Sequence, residues 1–153
     1  MPVEAATPEE IAAFGQLINR WAERERSENE LLAHVEYHPE DRRWLVRMRG
    51  EEKSIITIWL TLRQRTLHYE TQFMPAPEEN IERLYDYLMR ANAKLFGMRF
   101  AIADEDAIYL IGQMPLSALD EPELDRIVGS SYAYVEQYFR PAMSLGYQSK
   151  FRR

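Results

Sequence analysis

Between residues 43 and 73 the apolar pattern repeats every second residue, in three runs separated by turns too short for a crossover helix. Strands joined that closely pair antiparallel, because a parallel pair needs a crossover of a dozen or more residues. The first run, Arg43–Arg49, sets Trp44, Val46 and Met48 against Arg43, Arg47 and Arg49. Gly50-Glu51-Glu52 reads as the turn. Ile55–Leu62 follows, β-branched and apolar on both faces, as a central strand covered on two sides would be. Arg63-Gln64-Arg65 turns the chain again, and residues 66–73 alternate Leu67, Tyr69, Thr71 and Phe73 against His68, Glu70 and Gln72. Residues 31–38 form a less regular fourth member.

Helices bracket this meander. Thr7-Pro8-Glu9-Glu10 has a capping hydroxyl, a proline where no amide hydrogen is needed, and a Glu placed to complete a capping box. Ile11, Phe14, Leu17, Ile18 and Trp21 then recur at helical spacing. Met74-Pro75-Ala76-Pro77 ends the ladder, and Glu78-Glu79 suits the positive end of a second helix. Its inward stripe is Ile81, Leu84, Tyr85, Leu88, Ala91, Asn92 and Leu95, with Gly97 as the stop. Residues 98–103 and 107–114 form two strands around Asp104-Glu105-Asp106, a hairpin by local sequence. Asp120-Glu121-Pro122-Glu123 starts a third helix, with Leu124, Ile127, Val128, Ser131, Val135 and Phe139 inward and Pro141 as its kink or end. The order α-β-β-β(-β)-α-β-β-α predicts an α+β fold, an antiparallel sheet with helices packed on it. Residues 1–153 read as a single domain, without repeat, linker or low-complexity stretch.

Composition narrows the function. No cysteine is present, so disulfides, thiolate zinc sites and cysteine nucleophiles drop out, as suits a reducing cytosol. The stretch Met1-Pro2-Val3-Glu4-Ala5-Ala6 has neither the basic nor the apolar region of a signal peptide, which sets the cytoplasm as the expected location. No apolar run approaches the ~20 residues of a spanning helix, so no membrane partner is expected. With 19 basic and 25 acidic residues the net charge is −6, which argues against nucleic acid. Residues 42–65 are locally positive, with Arg42, Arg43, Arg47, Arg49, Lys53, Arg63 and Arg65 against Glu51 and Glu52.

Catalytic grammar is missing: no phosphate loop, dinucleotide fingerprint, nucleophile elbow or zinc-protease helix. His34, Glu36 and His38, joined by His68, share metal-ligand chemistry, but the three on one strand span ~13 Å and read first as a polar strand face. Asp104, Glu105 and Asp106 lack the further oxygens of a calcium loop and read as a solvated turn. The basic stripe Arg43, Arg47 and Arg49, with Arg63 and Arg65, suits either an acidic partner or a charged surface that discourages aggregation. Of three tryptophans and nine tyrosines most are explained by packing. Trp59 is the exception of interest, because it shares a strand face with Ile55, Thr57 and Thr61 opposite the more apolar Ile56, Ile58, Leu60 and Leu62. The candidate binding residues are therefore Arg47, Arg49, Trp59, Arg63, Arg65, His68 and Tyr69; no catalytic residue, metal or cofactor is called for.

Several strings carry a resemblance. Val46-Arg47-Met48-Arg49-Gly50, Leu62-Arg63-Gln64-Arg65-Thr66-Leu67-His68-Tyr69-Glu70 and Met74-Pro75-Ala76-Pro77-Glu78-Glu79-Asn80 are similar to the bacterial YbjN family. So are Phe100-Ala101-Ile102, Glu105-Asp106-Ala107-Ile108-Tyr109-Leu110 and Tyr138-Phe139-Arg140-Pro141-Ala142-Met143, so that the resemblance covers roughly residues 40–150. It implies a fold like that of type III secretion chaperones, small dimeric α+β proteins that hold a client chain. It also implies a role in sensory-transduction regulation, and brings no catalytic residue with it. The leading expectation is a non-catalytic, chaperone-like or regulatory domain, a homodimer that holds a segment of another protein, client or regulator, on a sheet or groove surface. The alternative is a sensor in which Arg47, Arg49, Arg63, Arg65 and His68 recognise an anionic small molecule. An enzyme using Glu70 and His68 as an acid/base pair ranks last.

Overall fold

A computed structural model describes residues 4–150; residues 1–3, part of the stretch read for a signal peptide, and 151–153 lie outside the described part. The elements are α1 (Pro8–Glu28), β1 (Leu32–His38), β2 (Arg43–Arg49), β3 (Ile55–Leu62), β4 (Thr66–Met74), α2 (Ile81–Asn92), β5 (Arg99–Ile102), β6 (Ile108–Pro115) and α3 (Glu121–Gly146). The six strands make one antiparallel sheet in the order β1-β2-β3-β4-β6-β5. β1–β4 form the meander, and α2 carries the chain over to the hairpin β5–β6, whose second strand joins β4.

The helices cover one side of this sheet. That side carries Trp44, Val46 and Met48 from β2, Ile56, Ile58, Leu60 and Leu62 from β3, Leu67, Tyr69 and Phe73 from β4, and Leu110 and Met114 from β6, all buried in one core with Ile18, Trp21, Leu84, Leu124, Ile127 and Val135 from the helices. Edge-to-face rings of Phe73, Phe100, Tyr138 and Phe139 tie α3 to the sheet. Polar ends of the buried indoles are satisfied: Trp44 donates to Asn19 Oδ1 and Trp21 to Asp125 Oδ1, each at 2.8 Å. Glu136 of α3 accepts from the backbone amides of Glu51, Glu52 and Lys53 and so holds the β2–β3 turn.

The capping box at Thr7 and Glu10 is present, and Asp120 caps α3 through the Glu123 amide. Two expectations change. α2 starts only at Ile81, after Asn80 in the left-handed region, and ends at Asn92, so Leu95 falls outside it. α3 does not end at Pro141 but runs on to Gly146. Burial of Tyr138 and Ala142 on either side of the proline outweighs the one hydrogen bond that its missing N–H gives up.

Candidate functional site

Among the described residues no helix lies over the opposite side of the sheet. Its side chains form cross-strand rows set by the register. The central row runs Arg99, Ile111, Glu70, Trp59, Leu45, Glu36 from β5 to β1. The flanking rows run Ala101, Tyr109, Gln72, Thr57, Arg47, His34, and Gln113, His68, Thr61, Arg43, His38. Trp59 stands at the centre. The Arg43 guanidinium lies 4.0 Å from its ring centroid and continues across β3 to Glu70 Oε1 at 2.9 Å, while the His38 ring meets it at 5.9 Å. This cover leaves Leu45, an open-side residue, only 7% exposed. Sequence reading passed over Leu45, because its neighbours Arg43 and Arg47 marked that side as polar.

The seven predicted binding residues do not form one site. Arg63 and His68 line a cavity of about 170 Å³ with Thr61, Glu70, Arg99 and Gln113. Arg47 stands apart on β2, opposite Thr57 and His34. Arg49 donates to the carbonyls of Glu30 and Leu32 at 2.9 and 3.1 Å and so fastens the start of β1. Arg65 sits in the β3–β4 turn, beside a hollow bounded by Phe14 and Leu116. Tyr69 points the other way, into the core; its hydroxyl donates to Gly97 O at 2.9 Å and burial pushes its pKa up. His68, its neighbour in sequence, faces the cavity, where burial, then Arg63 and Arg99, hold its pKa below 6.5 against the opposing pull of Glu70. Arg99 was absent from the predicted set, since only the β4–β6–β5 register brings it near His68.

His34 and His38 flank Glu36, each imidazole 3.7 Å from its carboxylate, too far for a hydrogen bond. Among the described residues no group of three His, Asp or Glu is placed to hold a metal ion. Asp104–Asp106 forms a short 3₁₀ turn with Glu105 and Asp106 in the left-handed region.

A second concavity, unforeseen in the sequence, lies between α2 and β5. It holds about 200 Å³ and is walled almost wholly by apolar groups: Tyr85, Leu88 and Met89 from the helix, Phe100, Ala101 and Ile102 from the strand, and Ile108. Met89 is 72% exposed and Ile102 54%. At its floor the Asn92 amide pairs with the strand backbone, Oδ1 accepting from Phe100 N at 2.7 Å and Nδ2 donating to Phe100 O at 3.2 Å. Each of Met89 and Ile102 is unremarkable in sequence, an apolar residue beside a turn or in a helix; only the edge position of β5 makes them one surface.

The model of the YbjN family, described as "Putative bacterial sensory transduction regulator", matches residues 15–142. An uncharacterized protein of Mycobacterium tuberculosis (strain H37Rv) is 34% identical over 109 residues, 71% of this chain and 60% of that protein. One from Mycobacterium leprae is 30% identical over 111 residues, 72% of this chain and 60% of its own length. The chain thus spans about 60% of the curated relatives it matches. Among solved structures, the Yersinia pestis type III secretion chaperone SycH, in complex with a stable fragment of YscM2, is similar with a TM-score of 0.57 and 18% identity, covering 81% of this chain and 98% of that one. The likeness shows the fold to be type III secretion chaperone-like. Among the described residues no helix is long and apolar enough to cross a membrane.

Proposed function

The chain belongs to the YbjN family, and from that premise we propose that it is a non-catalytic, chaperone-like or regulatory domain that holds a segment of another protein. The observation that carries this reading is the α2–β5 groove. Its apolar wall is left in water at a place where two apolar side chains, Met89 and Ile102, stand more than half exposed. An isolated exposed apolar side chain needs no explanation, whereas a contiguous apolar concavity marks a binding surface. Methionine suits the task, because its unbranched chain reshapes to different apolar side chains. The structural neighbour SycH, a chaperone solved with a protein fragment, supports the class of function. The reading includes a homodimer and action in the cytoplasm.

The test is affinity capture from the native lysate with the wild-type chain, Met89→Lys and Ile102→Lys. The expected result is one stoichiometric polypeptide retained by the wild type and lost from both variants, since a lysine would put a charge into the apolar contact. Retention by both variants would move the seat to the Trp59 side, where Trp59→Ala then abolishes it. Recovery of nothing but the chain itself sinks the reading. Light scattering at high concentration checks the dimer, which a strict monomer would remove.

A further inference from the structure

The cavity beside His68 is chemically unlike the groove. Its polar lining is rich in groups able to donate: the guanidinium groups of Arg63 and Arg99, the imidazole of His68, the hydroxyl of Thr61 and the amide of Gln113. Among the described residues Glu70 is the sole carboxylate there, and its Oε1 already accepts from Arg43 at 2.9 Å. Neither Arg63 nor Arg99 has a hydrogen bond or ion pair to its guanidinium among the described residues. Two cations therefore line one concavity whose carboxylate, Glu70, is already engaged by a third, Arg43, in a chain whose net charge is −6. Like charges brought together in this way repel, and the arrangement is relieved when an anion enters.

We infer that this cavity is an oxyanion site, taking a carboxylate or phosphate group between Arg63 and Arg99 with His68 and Gln113 as further donors. Guanidinium forks match both groups with two parallel hydrogen bonds each. The volume of about 170 Å³ is enough for one such group. The group has two sources, a free small acid or an acidic side chain of a bound polypeptide, and the experiment separates them.

Inorganic phosphate and succinate are titrated into the wild-type chain at constant ionic strength, with chloride as the reference salt, and followed by ¹H–¹⁵N spectra that include the His68 imidazole. Saturable shifts confined to His68, Arg99, Gln113 and their strand neighbours are expected. Arg99→Gln and Arg63→Gln, both at exposed positions, should weaken binding about tenfold or more, the loss expected for one charged hydrogen bond, while Arg83→Gln on α2 leaves it unchanged. Non-saturating shifts spread over the surface, or equal affinity in Arg99→Gln, overturn the assignment. Competition of phosphate with a captured polypeptide places the anion on that partner, and independent binding makes it a free acid; either agrees with the site. The titration needs no partner, so it stands or falls apart from the protein-binding reading.

Discussion

Gly112 faces the helices from β6, directly opposite Tyr69 in the register, and an added Cβ there would lie 2.3 Å from Tyr69 Cε2 and 2.5 Å from the Gly97 carbonyl. Gly112→Ala therefore forces a displacement of roughly 1 Å. The Tyr69 ring is 1% exposed and its hydroxyl is bound to Gly97 O at 2.9 Å, so it has no free direction to move. Gly97, at φ +71°, is itself fixed in a turn that a side chain would strain. Overpacking costs about 1–3 kcal/mol and loss of the tyrosine hydrogen bond about 1, together about 2–4. Removal of glycine from a strand returns about 0.5–1, so the net destabilisation should be about 1–3.5 kcal/mol. Urea denaturation followed by tryptophan fluorescence measures it. Gly129→Ala on α3 is the control of opposite sign: its Cβ would meet nothing within 4 Å, and the change should stabilise by up to about 1 kcal/mol. Gly112→Ala within 0.5 kcal/mol of the wild type would refute the close approach of β6 to Tyr69.

Asn92→Ala removes both hydrogen bonds to Phe100 and should cost about 1–3 kcal/mol, with faster hydrogen exchange at the Phe100 amide. Thr7→Ala breaks the capping box of α1 and should cost about 1 kcal/mol by the same denaturation assay. For His68, a folded-state pKa below 6.5 means that the unfolded chain binds its proton more readily. Its contribution to stability is present above pH 6.5 and is lost as pH falls below it. His68→Asn should flatten that part of the stability profile between pH 7.5 and 5, and an unchanged slope would contradict the environment formed by Arg63, Glu70 and Arg99.

What could be read in advance was whatever depends on near neighbours. The alternation in Ile55–Leu62 separated the more apolar face from the Trp59 face, since the pleat obeys a period of two whatever the fold, but the expected cover on two sides is found on one only among the described residues. Thr7 and Asp120 were legible as caps because capping is settled within four residues. The sites were harder because they are assembled across strands. Tyr69 and His68 adjoin in sequence and project to opposite sides of the sheet. Arg99 reaches His68 through a strand that joins the sheet out of sequence order. At Pro141 the local signal left a kink or an end open, and the packing of Tyr138 and Ala142 decides against the end.

The two margins of the sheet share a feature. At β5 the Asn92 amide occupies both backbone groups of Phe100; at β1 Arg26 donates to the Val35 carbonyl at 2.7 Å and Arg49 to that of Leu32. An unsealed margin would accept any extended polypeptide, because the backbone it reads is common to all of them. With those positions taken by its own side chains, the molecule gives up that indiscriminate welcome. A polypeptide laid along these margins would find those backbone positions taken, so its side chains would have to supply the contacts that its backbone cannot make there.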